Sequence, residues 1–462
     1  MRHRKADLHR SVKGQLEFRF TERGLTSYAG LEVLGRFLQV CQLNGLLRRH
    51  HGSERRGDFR FPSMVRLVLA LVIVGGRRLR HVEYLNGDPM IARFTGLKKL
   101  PAARTLSRWL KSFRASSVEM LRQVNAVVVG TFIRETGCRT LTADVDGTVL
   151  STGMKVERAF RGYNPHHRKV PSYYPITAHL GESGHILRVQ NRPGNVEDGK
   201  ASTGFLRELL RQIQLTCRPE VVRFRMDGAF FKQAVLKLLE SRGAGYAIKV
   251  PFSPWLGLKS LILRRREWQR VDHEVEGFRT SLFLEPWKRE VLITIYRKRV
   301  RHESAKNFQL DLFDPNDGYW EYSAVASNLG FPIARLWHFM CGRGSHEKII
   351  GELKSGLAFN SIPTNHYGAN CAWQQLVVLA HNLLLNFQAS VGAQRRPRRR
   401  TVAAIYRFSR VRTLRFELFN RAGRLVRPHG VACLCLAANA ALEKTVKDMV
   451  QALKKPRLVL SH

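Results

Sequence analysis

Three acidic residues of this sequence, Asp146, Asp227 and Glu347, are of the right type for metal-dependent chemistry. The two aspartates lie near the ends of segments rich in β-branched and apolar residues, and we predict a helix around Glu347. Cleaving a phosphodiester without a protein nucleophile requires an activated hydroxyl and neutralisation of the leaving oxygen. Two divalent cations held by carboxylates supply both. The alternative for each acid taken singly is that it caps a turn or a helix, because Asp-Gly after a strand is a common turn signal.

Asp144 competes with Asp146 for the first of these positions, since residues i and i+2 of a strand share one face. An unpaired carboxylate inside a sheet is costly, and a bound metal is one reason to place it there. We expect the carboxylates of Asp146, Asp227 and Glu347 to lie in one cleft, the first two on adjacent strands and the third on a helix.

The charge balance of the chain restricts the classes of function. Its 462 residues include 78 Lys and Arg but 36 Asp and Glu, which gives a net charge of +42 and an isoelectric point near 11.0. This excess argues against a typical small-metabolite enzyme and favours a polyanionic partner, because Lys and Arg neutralise the phosphates of nucleic acids. Ribosomal and membrane-surface proteins are the alternative, but they are usually short or amphipathic.

The sequence gives no sign of secretion, a membrane span or a nucleotide cofactor. Its N-terminus has no apolar core, and its most apolar run, residues 64–74, is shorter than the ~18 residues that a span needs. The seven cysteines are scattered, which indicates a reducing compartment. No G-x-x-x-x-G-K-[ST] motif is present. We therefore expect a cytoplasmic protein.

The chain divides into zones of different pattern, the first of which, residues 1–120, is predicted to be mostly helical. A short helix over residues 89–96 precedes an amphipathic helix over 104–114, which is typical of a helix-turn-helix. We predict that the outer face of the second helix binds DNA through Arg104, Ser107, Arg108 and Lys111. A plain amphipathic helix with a solvated basic face is the alternative.

Residues 139–250 follow the order β-β-β-α-β-α-β, which is that of the ribonuclease H-like fold. We predict an α/β protein whose ribonuclease H-like catalytic core comprises residues 139–250 and 331–390. A β-rich insertion occupies residues 251–330. Residues 391–462 form a helical, Arg-rich region, for which we predict sequence-independent phosphate contacts from Arg395, Arg396, Arg398, Arg399 and Arg400.

These segments together resemble the DDE transposases of bacterial insertion sequences, most closely the insertion-sequence-1380 group of the insertion-sequence-4 superfamily. That superfamily carries Tyr-x2-Arg-x3-Glu-x6-Lys, which Arg343, Glu347 and Lys354 fit, with Met340 at the tyrosine position. Residues 143–148 and 223–231 resemble the strands of the first and second acids, and residues 192–195 resemble a linking motif. Asp146 stands at the family's place for the first acid, before Gly-Thr at the strand end.

The resemblance implies cut-and-paste transposition, in which Asp146, Asp227 and Glu347 hold two Mg²⁺ or Mn²⁺ ions. It implies double-stranded DNA as the partner, both the terminal inverted repeats of the protein's own element and target DNA, bound by a homodimer associated with the bacterial nucleoid. A non-transposing nuclease on the same fold and a catalytically inactive DNA-binding protein remain alternatives.

Helical geometry gives independent support for this assignment. At about 100° per residue, Arg343 and Glu347 lie one turn apart, and Lys354 returns to within about 20° of Glu347. We therefore expect Arg343 and Lys354 to contact phosphates on the side of Glu347, with Glu352 pointing elsewhere. The alternative is an ordinary surface pair between Arg343 and Glu347.

Several histidines form a weaker pattern. His166, His167, His179 and His185 have no regular metal-ligand spacing, and we expect them in a solvated or DNA-facing loop.

Overall fold

The computed structural model describes residues 18, 20–51, 57–153, 155–162, 169–196, 199, 202–299, 320–395, 406–454, 458 and 460. The helices are α1 (Leu31–Val40), α2 (Leu43–His51), α3 (Phe61–Val74), α4 (Pro89–Thr95), α5 (Ala103–Lys111), α6 (Ala115–Thr136), α7 (Ser202–Thr216), α8 (Gln233–Ser241), α9 (Leu258–Arg264), α10 (Ile333–Cys341), α11 (Ser345–Gly351), α12 (Tyr367–Ser390), α13 (Val411–Leu414) and α14 (Ala440–Leu453). The strands are β1 (Leu25–Thr26), β2 (Thr140–Gly147), β3 (Leu150–Ser151), β4 (Ser172–Tyr173), β5 (Ile176–Leu180), β6 (Ile186–Gln190), β7 (Val221–Met226), β8 (Gly245–Val250), β9 (Gln269–Arg270), β10 (Val275–Leu284), β11 (Arg289–Arg299), β12 (Trp320–Ser327), β13 (Gly423–Val426) and β14 (Cys433–Leu436).

In the part of the chain that the structure describes, a nine-stranded mixed sheet lies at the centre, in the order β6-β5-β2-β7-β8-β12-β11-β10-β9. The strands β6, β5 and β2 pair antiparallel, whereas β2, β7 and β8 run parallel. Helix α7 leads from β6 to β7 and α8 from β7 to β8, so the strands of this sheet and their helices follow the β-β-β-α-β-α-β order of the sequence prediction, with the short pair β3 and β4 outside the sheet. The α/β class is confirmed, and this part of the sheet has the strand order of a ribonuclease H-like core.

The segment between β8 and α10 continues this sheet rather than forming a separate one. Its strand β12 pairs antiparallel with β8, and β11, β10 and β9 follow in turn. The sequence predicts strands here, and the structure shows that their backbone hydrogen bonds cover the edge of β8. An uncovered edge would expose unpaired N–H and C=O groups.

Helix α12 joins the N-terminal helices to the sheet through a shared apolar core. It is 24 residues long, and every residue from Ala369 to Gln388 is buried. It packs on α3, α5 and α6, and its side chains belong to the same apolar cluster as those of α1 and α3. Several buried polar side chains of α12 bond to neighbouring elements, as Asn382 does to the backbone N–H of Ile186 and Asn386 to the carbonyl of Val128.

The prediction of a helical region over residues 391–462 is only partly right. In the described part, β13 and β14 form a three-stranded antiparallel sheet with β1 from the other end of the chain. A turn over Pro428–Gly430, with His429 at φ 50°, separates the two strands. The stretches that form β13 and β14 are too short for helical periodicity. Their backbone groups bond to each other instead, and β13 also pairs with β1.

Among the described residues, no helix is both long enough and apolar enough to cross a membrane.

Candidate active site

Asp146 and Asp227 lie side by side because their strands are parallel neighbours. Val145 of β2 is paired with Met226 of β7, and each aspartate is the next residue along its strand direction. The carboxyl ends of parallel strands meet at one edge of a sheet, which is where open α/β sheets commonly bind ligands. The local sequence is therefore sufficient to bring these two acids together.

The guanidinium of Arg343 lies between the two aspartates. Its Nη2 donates to Oδ2 of Asp146 at 2.6 Å and is 3.8 Å from Oδ2 of Asp227. The three side chains are 19%, 22% and 32% exposed for Arg343, Asp146 and Asp227 respectively. The two carboxylates thus form one partly solvated, negatively charged site that already holds a cationic group.

The second oxygen of each aspartate bonds to nearby backbone. Oδ1 of Asp146 accepts from the N–H of Gly147 at 2.9 Å, and Oδ1 of Asp227 accepts from the N–H of Ala229 at 3.1 Å. Asp227 therefore does cap the short helical turn Gly228–Phe230. Turn capping and site formation are compatible here, since one oxygen orients the carboxylate while the other faces Arg343.

Glu347 is exposed on α11 and does not join the two aspartates. The buried residues of α11 are His346 and Ile350, which face the protein interior one turn apart. Glu347 follows His346 by about 100° around the helix axis and so lies outside that buried face. Within the described ranges, no group of three His, Cys, Asp or Glu side chains is placed to hold a metal ion.

Lys354 lies near the end of β2, although the helix does not continue regularly to it. Residues Glu352–Gly356 form a wider π-helical turn, which changes the angular spacing on which the expected direction of Lys354 depends. Its Nζ donates to the carbonyl of Val149 at 3.0 Å, three residues after Asp146. Burial lowers the pKa of Lys354 below its ordinary value.

Glu352 points away from the aspartates. Its Oε1 accepts from the backbone N–H of Val411 at 2.6 Å. Met340, at the position where the superfamily carries tyrosine, is buried in a small apolar cluster with Leu336 and Phe331.

Asp144, the other candidate on β2, is the centre of a buried ionic network. Arg225 binds it through two bonds, Nε to Oδ1 at 2.5 Å and Nη2 to Oδ2 at 2.6 Å. His179 Nε2 is 3.1 Å from Oδ2, and Asp144 itself is fully buried. Burial alone would raise the pKa of Asp144, but His179 and Arg225 outweigh it and lower that pKa.

This network continues to the helix that carries Glu347. His179 Nδ1 is 2.7 Å from Nδ1 of His346, and the other ring nitrogen of His346 is 3.2 Å from the hydroxyl of Thr177. That hydroxyl also contacts the carbonyl of Asp146 at 3.2 Å. Burial lowers the pKa of His346 well below its ordinary value. A chain of polar contacts thus fixes α11 to β5 and β2.

A glycine makes room for the same network. Arg225 also donates to the carbonyl of Phe339 at 2.8 Å, beside Gly342. A Cβ at Gly342 would stand 2.0 Å from Nη1 of Arg225, so a larger residue would displace the guanidinium or the chain.

The expectation of a solvated loop is wrong for two of the histidines. His179 and His185 are fully buried, and His185 contacts Asn386 and Ser183. Sequence reasoning missed Arg225 and His346 and gave His179 the wrong surroundings, because the roles of all three come from partners on other elements. His166 and His167 lie outside the described residues.

The residues predicted to contact DNA are distributed over two regions. On α5, Arg104, Arg108 and Lys111 are exposed and Ser107 is half-buried, while Leu106 and Leu110 form the buried face. Helix α4 packs mainly on α1 and α3, whereas α5 packs on α12 and the turn Leu79–Leu85. Arg395 is exposed and stacks on Tyr406. The remaining arginines of that group lie outside the described residues: Arg396, Arg398, Arg399 and Arg400.

Solved transposase structures resemble this chain at low identity. A cryo-EM structure of the piggyBac transposase synaptic complex with hairpin DNA has 10% sequence identity and a TM-score of 0.39, covering 91% of this chain and 85% of that chain. The Mos1 transposase paired-end complex with left transposon end has 13% identity and a TM-score of 0.18, over 42% of this chain and 61% of that one. A crystal structure of the Mos1 mariner paired end complex with Mn has 13% identity and a TM-score of 0.16, over 44% and 66%.

The chain has no match among curated proteins. A family model described as Transposase DDE domain group 1 matches residues 9–458, nearly the whole length of the sequence. The chain therefore belongs to this family of DDE transposases.

Proposed function

We propose that this transposase cuts the DNA ends of its own mobile element and transfers them to target DNA, with Asp146, Asp227 and Glu347 as the acidic triad. The observation that carries the proposal is the convergence of Asp146 and Asp227 on one guanidinium nitrogen at the edge of β2 and β7. The motif spacing of Arg343, Glu347 and Lys354 further supports the insertion-sequence-1380 group of the insertion-sequence-4 superfamily.

The two aspartates fit a divalent cation, because each presents a partly exposed carboxylate oxygen toward a cationic group already there. Such hard oxygen donors suit Mg²⁺ or Mn²⁺. Asp146 and Asp227 would hold the metal, and the motif position of Glu347 is the ground for proposing it as the third ligand. Two bound ions would activate the attacking hydroxyl and stabilise the leaving oxygen.

Other residues of the chain would bind and orient the DNA. Arg343 and Lys354 flank the acids and would contact phosphates at the cleaved end, which fixes the scissile bond relative to the carboxylates. The basic face of α5 would bind the terminal inverted repeat, and the Arg-rich segment after Arg395 would add phosphate contacts. We propose a homodimer on the paired ends and no nucleotide cofactor.

The test is cleavage of a duplex that carries the inverted repeat flanking the gene, with Mg²⁺ and with EDTA. Asp146→Asn, Asp227→Asn and Glu347→Gln should each abolish cleavage in Mg²⁺ while binding to the repeat stays within a few-fold of wild type. Each change removes a ligating charge and barely alters shape. Glu352→Gln is the matched control on the same helical segment, since the amide oxygen can still accept from Val411, and it should cut normally.

A catalytically inactive DNA-binding protein is the second candidate, and the exposed position of Glu347 outside the aspartate pair favours it. Wild-type protein that binds the repeat specifically but never cuts it would establish this second function. Cutting by Glu347→Gln at the wild-type rate would remove Glu347 from the triad.

A further inference from the structure

A cavity of about 380 Å³ lies among the N-terminal helices, far along the chain from the acidic residues. Its walls come from α1, the start of α2, α3 and α4, and its size is within the usual range for ligand pockets, ~300–1,000 Å³. Most of the polar groups around it carry N–H donors. They are Arg36, Gln39, Gln42, Asn44, Arg66 and Arg93.

Arg66, on α3, is the unusual member of this lining. Its Nε is buried without a hydrogen-bond partner, and in the described chain no acidic side chain pairs with it. The guanidinium stacks over Phe94 at 4.9 Å from the ring centre. Burial lowers the pKa of Arg66, yet an arginine stays protonated, so the cavity contains an uncompensated positive charge.

The other charges at the cavity leave it positive. Glu32 is the acid of the lining, and it is already bound by Arg93 at 2.7 Å and by Arg36 at 3.1 Å. Three guanidinium groups therefore face one carboxylate. The Asn44 amide also has a buried Oδ1 without a partner, and its NH2 group adds donor capacity.

The space above Arg66 is kept open by a residue without a side chain. Gly35 belongs to α1, and a Cβ placed there would lie 3.6 Å from Phe94 Cδ2 and 4.0 Å from Arg66 Nη2. A larger side chain at Gly35 would grow toward the guanidinium, and its first atom meets no clash.

We propose that this cavity binds a phosphate group, held by the guanidinium of Arg66 with help from Arg36 and Arg93. A planar guanidinium with free donors matches phosphate oxygens, and such charge-assisted bonds are the stronger class of hydrogen bond. The phosphate comes either from a DNA backbone or from a small phosphorylated molecule. The DNA source rests on the proposed function; binding of phosphate itself does not.

The first experiment titrates inorganic phosphate into the full-length protein by calorimetry, at constant ionic strength. Wild type should bind one phosphate per chain. Arg66→Met and Gly35→Leu should each weaken this binding at least tenfold, because one removes the charge and the other fills the space. Arg80→Met, the same change at an exposed arginine outside the cavity, should bind like wild type.

Gly35→Leu keeps every charge, so it distinguishes phosphate binding inside the cavity from general attraction of phosphate to a positively charged protein. It also tests the proposal if Arg66→Met does not fold. Unsaturable phosphate binding in wild type, or wild-type affinity in Gly35→Leu, would overturn the proposal.

The second experiment measures duplex binding against salt concentration. If the occupant is a backbone phosphate, the slope of log K against log salt should fall by about 0.9 in both cavity variants. If phosphate binds but the slopes are unchanged, the pocket stands and its ligand is a small phosphorylated molecule. If the wild-type protein bound no duplex DNA, the proposed function would be contradicted, whereas the phosphate binding measured by calorimetry would still stand.

Discussion

Asp144 and Asp146 lie on the same strand but differ in burial and in the partners of their carboxylates. They are two positions apart on β2, yet Asp144 is fully buried while Asp146 is 22% exposed at the strand end. Asp144 is bound by Arg225 and His179, so its charge is compensated internally. Removing one partner of a buried ion pair typically costs ~3–5 kcal/mol. Asp144 thus belongs to the packing of the sheet, whereas Asp146 is the partly exposed acid of the two.

Glu182 provides a pH-dependent contribution to stability at the same scale. It lies in the turn between β5 and β6, and its Oε2 accepts from the backbone N–H of Thr142 at 3.0 Å. Burial raises the pKa of Glu182 to about 7. A carboxyl whose folded-state pKa is raised stabilises the protein below its ordinary pKa, and this contribution is lost as pH rises through about 7.

We therefore predict that Glu182→Gln abolishes the fall in stability that ionisation of Glu182 causes as pH rises through about 7. The amide oxygen can accept the same bond and does not ionise. From pH 5 to pH 8.5 the variant should gain stability relative to wild type by roughly 2–3 kcal/mol. Urea unfolding across this range measures it, with Glu208→Gln, a change on the exposed face of α7, as the control. If the free energy of unfolding depended on pH in the same way in wild type and in Glu182→Gln, the prediction would be contradicted.

The site was predictable from sequence only where it depends on local pattern. Asp146 and Asp227 follow runs of β-branched and apolar residues, so strand ends and adjacency can be inferred. Arg225 and His346 are not identifiable this way, because their partners Asp144 and His179 lie 81 and 167 residues away. Buried polar groups need partners, but the sequence does not say which.

At the scale of elements, the helical segment that carries Glu347 is held at its C-terminal end by two arginines. Arg415 donates to the carbonyls of Val72 and Gly356 at 2.6 Å, and also to the carbonyl of Ile73. Arg77 donates to the carbonyl of Ser355 at 2.9 Å. The last carbonyls of a helix have no partner within the helix, and a cation there is also favoured by the helix dipole. Arg415 in this way joins the end of α3 to the end of the helical segment over residues 345–356.

Arg415→Met should lower the free energy of unfolding by roughly 2–3 kcal/mol, because it leaves partly buried carbonyls without their donor. It should also increase amide exchange over residues 345–356. Arg412→Met is the matched control, since Arg412 is exposed on the neighbouring turn, and it should change stability by less than about 0.5 kcal/mol. Equal effects of the two substitutions would show that Arg415 does not act as a cap.

Backbone geometry departs from an ideal α-helix within the segment that carries Arg343, Glu347 and Lys354. The expected direction of Lys354 assumes an uninterrupted α-helix, whereas the structure changes to a 3-10 turn at Gly342–Gly344 and to a π turn at Glu352–Gly356. The strands β10, β11 and β12 were predictable in outline from alternation. Their pairing with β8 was not, because register and neighbour are set by the whole sheet.

At the scale of the whole molecule, the sheet and the helices share cores instead of forming independent units. α12 packs on the N-terminal helices and on β6, and β1 pairs with β13 near the other end of the chain. Any DNA bound on α5 is therefore attached to a body that is continuous with the acidic site. The net charge of +42 gives this body a strong general attraction for DNA, so specificity requires a second, localised contribution.

We predict that the two contributions can be separated by mutation. If α5 enters a groove as proposed, replacing Arg104 and Arg108 should reduce the preference for the terminal repeat over random duplex by ~1–3 kcal/mol for each base-edge interaction removed. Neutralising Arg398, Arg399 and Arg400 should weaken binding to all duplexes alike and lower the salt slope by about 0.9 for each phosphate that is no longer neutralised. Footprinting and salt titration on repeat and scrambled duplexes measure both. If the triple variant lost only the repeat preference and kept its salt slope, the two regions would have the opposite roles.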